Sequence, residues 1–221
     1  MKSFGEIRSI AVERKGEEEL ALHMPEAPET SLIELSDDRV LAEFTKRIFQ
    51  AGFNWKVIEN KWPGFEAAFH GFDIGRNALM DDDEIAELTR NTDIVRNGPK
   101  IATVRENAAF LAELAREHGS AAAYLGGWPV EDMVGLFDLL KKRGARLGGM
   151  TGQYALRFMG YDNFILSKSV VAALNAHGVI DGAATSKKAL AAVQEAFNVW
   201  HAESGEPYAV ISRVLAFSVP D

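Results

Sequence analysis

Cysteine is absent from the 221 residues of this chain. Its absence excludes disulfides, thiolate zinc sites, iron–sulfur clusters, CxxC redox chemistry and a cysteine nucleophile. Long hydrophobic runs are missing as well, since no apolar stretch approaches the roughly 18 residues of a membrane span. The first residues also lack the apolar segment of a signal peptide. We therefore expect a cytoplasmic protein with no membrane partner.

Segments that alternate polar and apolar residues are nearly absent too, and such segments are typical of half-buried β-strands. Helix signals recur instead: Asp37 and Asp38 can cap one helix, and Asp81 with Glu84 resembles the capping box of another. Only residues 210–219 could form a strand as readily as a helix. The pattern predicts an all-α protein, with residues 1–221 as a single helical domain.

The net charge of −8 argues against a general nucleic-acid binder, which is usually basic. Its distribution is uneven, because residues 141–188 carry eight basic and two acidic side chains, a net charge of +6. A basic face on an acidic protein is compatible with docking a polyanion. A chance cluster on a solvated face is the other interpretation, and charge alone does not decide between them.

The segment LKKRGARLGGMTGQYALRFMG lies in this basic stretch and predicts two helices joined by a glycine-bearing turn at about residues 144–152. Backbone N–H groups at a helix N-terminus can hold a phosphate, and glycine lets the backbone approach it closely. Thr151 is predicted to cap the second helix. An ordinary helical corner is the alternative. The candidate DNA-backbone residues are Gly149, Thr151, Gly152, Lys142, Arg146 and Lys100.

Aromatic residues are concentrated in the preceding half of the chain, with seven between positions 49 and 72. Most of them are expected in the core. Polar Arg47, Gln50 and Asn54 are interleaved with them, and an aromatic wall with a few polar groups is what a flipped-out base requires.

Metal and nucleotide motifs are lacking. The five histidines form no HxxxH pair, and no carboxylate motif surrounds them. The glycines near residue 150 match neither GxxxxGK[ST] nor GxGxxG, and GxSxG does not occur. We expect no metal and no cofactor, and infer no obligate protein partner.

Together these segments resemble the 3-methyladenine DNA glycosylase I family of the helix-hairpin-helix glycosylase superfamily. The stretches that match in order are QAGFNW, FEAAFHGFD, DIVRNGPKI, ENAAFL and LKKRGARLGGMTGQYALRFMG, within about residues 37–163. The resemblance implies an all-α fold of two closely packed helical sub-domains with a base pocket between helical parts. It also implies hydrolysis of the N-glycosidic bond of a damaged, alkylated purine in double-stranded DNA.

The sequence departs from the family at identifiable points. The family's cysteine- and tyrosine-rich N-terminal segment and its zinc ligands are absent, so no zinc site is expected. The family's glutamate that recognises the methylated adenine corresponds to Arg47, whereas its pocket tryptophan and glutamine are present as Trp55 and Gln50. Bifunctional superfamily members carry a lysine in the hairpin helix, and Gln153 near that point predicts a glycosylase without lyase activity.

An aromatic face such as Trp55 attracts a cationic base by about 1–2 kcal/mol when desolvated. Arg47 would oppose a cation, and Glu43, one helical turn earlier, could pair with it. Either that pair neutralises the site or the substrate is not a cation. The candidate base-pocket residues are Trp55, Gln50, Arg47, Asn54, Phe49 and Tyr154.

The sequence therefore predicts a monofunctional DNA glycosylase of base-excision repair with altered pocket specificity. A non-catalytic helix-hairpin-helix DNA-binding protein is one alternative, and a helical scaffold that keeps only the fold is another.

Overall fold

The computed structural model describes residues 1–26 and 29–220, which form helices joined by turns. These two ranges contain no β-strand, so the all-α prediction is confirmed. Their α-helices are α1 Phe4–Lys15, α2 Glu17–Leu22, α3 Asp37–Gln50, α4 Trp55–Ala68, α5 Ile74–Ala78, α6 Asp82–Leu88, α7 Gly98–His118, α8 Ala121–Gly126, α9 Met133–Arg143, α10 Met150–Phe158, α11 Lys168–Ala176, α12 Lys187–Ser204 and α13 Tyr208–Phe217. Short 3₁₀ turns cover Leu32–Glu34, His70–Phe72 and Val130–Asp132.

One compact unit, here called the terminal unit, combines the N-terminal residues, residues 129–135 and the residues from Asp162 onward. Helices α1, α11 and α12 pack against α13. In its core the rings of Phe164 and Phe197 stack with centroids 4.3 Å apart, and Trp200 Nε1 donates to the Lys2 carbonyl over 3.0 Å. Residues 210–219, which could have formed a strand, are mostly helical instead, because residues 210–217 lie in α13.

His177 is buried in the terminal unit directly after α11, where its Nε2 lies 2.8 Å from Ser218 Oγ. Burial and, to a smaller extent, the charge of Lys2 lower the pKa of this histidine. Burial of this kind disfavours the charged imidazolium, so His177 belongs to the packing of the terminal unit.

The second unit, here called the central unit, comprises residues 29–128 and 136–161. Its longest helix is α7, with 21 residues, against which α3, α5, α6 and α8 pack. Helix α3 also contacts α4 and α10, so nine of its 14 residues are buried. This enclosure carries the polar residues of α3 into the interior along with the apolar ones.

Side-chain caps define several helix starts in the central unit. The capping box of α6 is confirmed, since Glu84 N donates to Asp81 Oδ1 over 2.8 Å and Asp81 N donates to Glu84 Oε2 over 3.2 Å. The predicted cap of α3 is wrong, because Ser36 is the N-cap residue and Asp37 is the first helical residue. Asp37 instead accepts from the backbone N–H of Ala122, which joins α3 to the start of α8.

Candidate functional site

Arg47 is the central side chain of the site, and only 6% of it is exposed. It lies on α3 one turn after Glu43, and its Nε is 2.5 Å from Glu43 Oε1. The predicted Glu43–Arg47 pair is therefore confirmed. Glu43 is also largely buried, and this burial raises its pKa against the opposing effects of Arg47 and Lys46. The contact is ionic, without hydrogen-bond geometry between Nε–H and Oε1.

Aromatic rings from two other helices enclose the guanidinium group. Its Cζ lies 3.9 Å from the centroid of the Phe158 ring on α10 and 5.3 Å from the Trp55 ring at the start of α4. The Trp55 and Phe158 centroids are 6.1 Å apart, and Tyr154 meets Trp55 edge-on at 6.3 Å. Trp55 is 45% exposed and Phe158 53%, so both rings also present a surface to solvent.

A second polar group lies one turn further along α3. Gln50 is 2% exposed, and its Nε2 donates to Glu59 Oε1 over 3.0 Å. Glu59 also pairs with Lys46, whose Nζ is 2.9 Å from Oε2. The side-chain oxygen of Gln50 is buried without a hydrogen-bond partner. Gln50 is therefore held in place through its amide nitrogen and Glu59.

An open depression of about 250 Å³ lies beside Glu43 and Phe158, and Arg39, Lys46 and Trp62 also line it. It therefore joins the carboxylate of the ion pair to one of the two rings that enclose Arg47. The Lys46 ammonium lies 5.1 Å from the Trp62 ring centroid, a second cation held against an indole at this depression.

The six residues predicted for the base pocket are not all brought together. Trp55 contacts both Arg47 and Tyr154, and Gln50 lies one turn along α3 from Arg47. Phe49 is fully buried and packs edge-on against Phe65 at 4.7 Å, as a core residue does. Asn54 is exposed, and its Oδ1 accepts from Lys56 N over 2.9 Å as the N-cap of α4. Their roles toward a base stay predictions.

Phe158 was missed by sequence reasoning, although it makes the shortest ring contact with Arg47. The signal was its place in ALRFMG, four residues after Tyr154, which puts both rings on one face of α10.

Residues 144–149 connect α9 to α10, and two hydrogen bonds hold this turn to α7. Asn107, fully buried on α7, accepts from Ala145 N over 2.8 Å and donates from Nδ2 to the Ala145 carbonyl over 3.1 Å. The same side chain therefore satisfies both backbone groups of one turn residue. Asn107 is a positioning residue that the sequence did not identify, although it lies in the matching stretch ENAAFL.

Glycine is required at two places in this connection. Gly149 has φ 62° and ψ −145°, which side chains do not tolerate. A Cβ on Gly152 would lie 2.2 Å from the Leu147 carbonyl oxygen, so only glycine allows α10 to pack on the turn. The predicted cap is wrong: Gly149 is the N-cap residue of α10, and Thr151 is already inside the helix. A threonine cannot adopt the backbone angles found at this cap.

The basic residues predicted to contact DNA differ in their surroundings. Arg146 is exposed on the turn, at φ 58°. Lys142 is 67% exposed and lies 2.5 Å from Asp138 Oδ2, a surface pair of little stabilising value. Lys100 is only 7% exposed, and its Nζ donates to the carbonyls of Ala51 over 2.7 Å and Phe49 over 3.2 Å.

Burial and the nearby charge of Arg146 lower the pKa of Lys100. The Lys100 ammonium donates to carbonyls at the C-terminal end of α3, where a cation offsets the negative end of the helix dipole. This placement disfavours the predicted contact of Lys100 with phosphate, which stays a prediction like those of the other residues.

Within residues 1–26 and 29–220, no three histidine or acidic side chains converge as metal ligands do. No helix of that part of the chain is both long and apolar enough to cross a bilayer.

Comparison with known proteins adds an independent line of evidence. A family model for methyladenine glycosylases matches residues 33–142, about half of the chain. Among solved structures, a singly substituted 3-methyladenine DNA glycosylase I from Staphylococcus aureus aligns with a TM-score of 0.51 and 21% identity, over 69% of this chain and 89% of that one. A singly substituted 3-methyladenine DNA glycosylase I in complex with 3-methyladenine aligns with a TM-score of 0.50 and 20% identity, over 64% and 82% of the two chains. These alignments establish a shared fold.

Proposed function

The chain belongs to the methyladenine glycosylase family over residues 33–142, and we propose that this DNA glycosylase of base-excision repair has altered base specificity because Arg47 closes its pocket to cationic purines. The observation that carries the proposal is the guanidinium of Arg47, 6% exposed and in contact with Glu43, Trp55 and Phe158. A cationic base that stacked on Trp55 or Phe158 would lie close to this guanidinium and be repelled by it.

The reaction is hydrolysis of an N-glycosidic bond. A water oxygen bonds to C1′ of the deoxyribose, and the bond from C1′ to the base nitrogen breaks. The base leaves with the bonding electrons and takes up the proton that the water loses, which gives the free base and an abasic site. The target nucleotide is first extruded from the duplex, which costs a few kcal/mol. Stacking on an aromatic side chain returns about 1–3 kcal/mol per base.

The exposed surfaces of Trp55 and Phe158 offer such stacking without displacing Arg47. A guanidinium beneath these rings repels a positively charged base and tolerates a neutral or oxidised one. Its N–H groups suit the acceptor edge of a base, because arginine only donates. The substrate class is therefore a damaged purine that carries no fixed positive charge.

Base release from DNA with defined lesions tests this proposal. The native protein is expected to release 3-methyladenine weakly or not at all from methylated DNA, and Arg47→Glu is expected to gain part of that activity. Arg105→Glu is the control for the charge change, because Arg105 lies on α7 of the same unit, is 34% exposed, pairs with Asp82 and does not line the depression. It should leave the preference among lesions unchanged.

Efficient release of 3-methyladenine by the native protein, unaltered in Arg47→Ala, would contradict the altered specificity. Binding to damaged duplex without release of any base would favour the non-catalytic DNA-binding alternative.

DNA is proposed to dock through the turn between α9 and α10. The support is a glycine at the cap of α10, with Arg146 and Lys142 exposed beside it. Arg146→Glu with Lys142→Glu should weaken binding to every duplex and flatten its salt dependence, because fewer counterions are released. Lys187→Glu with Lys188→Glu changes the net charge equally in the terminal unit and is the control. An unchanged salt slope in the first double variant would show that DNA binds elsewhere.

A further inference from the structure

Glu43, Trp55 and Phe158 form a group that we call the cation cage. Its two rings approach the Arg47 guanidinium to 5.3 Å and 3.9 Å, and its carboxylate lies 2.5 Å from Nε. Both ring distances are within the roughly 6 Å at which a cation is attracted by an aromatic face. A flat monovalent cation is therefore held by two rings and one counter-charge.

The side chain that fills the cage belongs to the protein itself. Arg47 is 6% exposed, whereas the two rings around it are 45% and 53% exposed. The Nε of Arg47 is buried and makes no hydrogen bond, so the cage does not depend on a hydrogen bond to this atom.

We propose that Arg47 is the resident ligand of the cation cage, and that the cage binds a free flat cation with N–H donors when this side chain is removed. This proposal rests on the proposed function only because cation binding and base recognition are assigned to the same site. It concerns binding alone and needs neither DNA nor bond cleavage. In the native chain the tethered guanidinium has a high effective concentration, and a free cation cannot compete with it.

Methylguanidinium, the free counterpart of the arginine head group, is the probe. Arg47→Ala is titrated with methylguanidinium chloride and, separately, with sodium chloride at equal ionic strength. The melting temperature of Arg47→Ala should rise with methylguanidinium and saturate, because a ligand of the folded state stabilises it by mass action. The indole N–H resonance of Trp55, assigned through Trp55→Phe, should shift over the same concentration range.

Two controls isolate the cage. Arg105→Ala removes another guanidinium from the central unit, one that pairs with Asp82 at 34% exposure, and it should show neither effect, like the native protein. Glu43→Gln combined with Arg47→Ala should bind methylguanidinium about tenfold more weakly or worse, since a charged partner contributes about 1.5–3 kcal/mol and 1.4 kcal/mol is tenfold.

The proposal is overturned if folded Arg47→Ala shows no saturable response, if Arg105→Ala or the native protein responds equally, or if loss of the Glu43 charge changes nothing. Should Arg47→Ala fail to fold, Arg47→Ser takes its place. If both variants stay unfolded in methylguanidinium, the cage requires its own side chain, and the proposal is rejected. Base release is measured separately, so a chain that excises nothing can still pass this titration.

Discussion

The strongest test of the site as a physical unit is removal of the Glu43 charge. Glu43→Gln keeps the volume but leaves the Arg47 guanidinium, 6% exposed, without its counter-charge. Breaking one side of a buried ion pair costs about 3–5 kcal/mol. Glu43 retains 18% exposure, which admits some solvent, so we expect the lower end, about 3 kcal/mol of unfolding free energy.

Arg47→Met on its own should cost a similar amount, because it leaves the Glu43 carboxylate buried and unpaired. The double variant Glu43→Gln, Arg47→Met should lie within about 1 kcal/mol of the native protein, because replacing both charges of a buried pair by neutral groups is often near neutral. The four proteins form a double-mutant cycle, measured by urea unfolding at neutral pH and followed by tryptophan fluorescence. A coupling free energy below about 0.5 kcal/mol, the range of independent sites, would refute the reasoning.

Three further predictions concern the turn and the terminal unit. Asn107→Ala should cost about 1–3 kcal/mol and weaken duplex binding, because both backbone groups of Ala145 lose their partner; unchanged urea unfolding and DNA affinity would contradict this. Gly149→Ala should cost about 1–3 kcal/mol, because φ 62° with ψ −145° is accessible essentially to glycine alone, and an unaltered unfolding midpoint would count against the assigned backbone. The melting temperature should fall as the pH drops from 7 through 6.5, the ordinary pKa of histidine. The reason is that the pKa of His177 is lowered in the folded state, so the unfolded state binds more protons. His177→Asn should reduce this dependence of melting temperature on pH, and an identical dependence in both proteins would exclude the histidine as its cause.

The ion pair of the site could be anticipated from spacing alone. Residues four apart lie on one face of a helix, so Glu43 and Arg47 had to be neighbours once α3 formed. The capping box of Asp81 and Glu84 is local in the same way, since both of its hydrogen bonds span three residues. Recurring helix-cap signals, together with the scarcity of alternating segments, were sufficient for the all-α class.

The errors at the helix starts have one physical cause. Thr151 and Asp37 both have side chains suited to capping, but the N-cap is defined by the backbone angles of the residue that enters the helix. Those angles depend on how the preceding turn packs. At α10 they require glycine, and the close approach of Gly152 to the Leu147 carbonyl arises from the same packing.

Tertiary structure alone decided which side chains meet. Trp55 and Phe158 are about a hundred positions apart, and only the packing of α4 and α10 on α3 brings both rings onto Arg47. The packing of α7 on α3 turns Lys100 inward onto the carbonyls at the end of α3, although the sequence predicted it to contact DNA. A local pattern determines helices and their faces, because its forces act within one or two turns. The partner of each face is chosen by burial across the whole unit, which no local pattern contains.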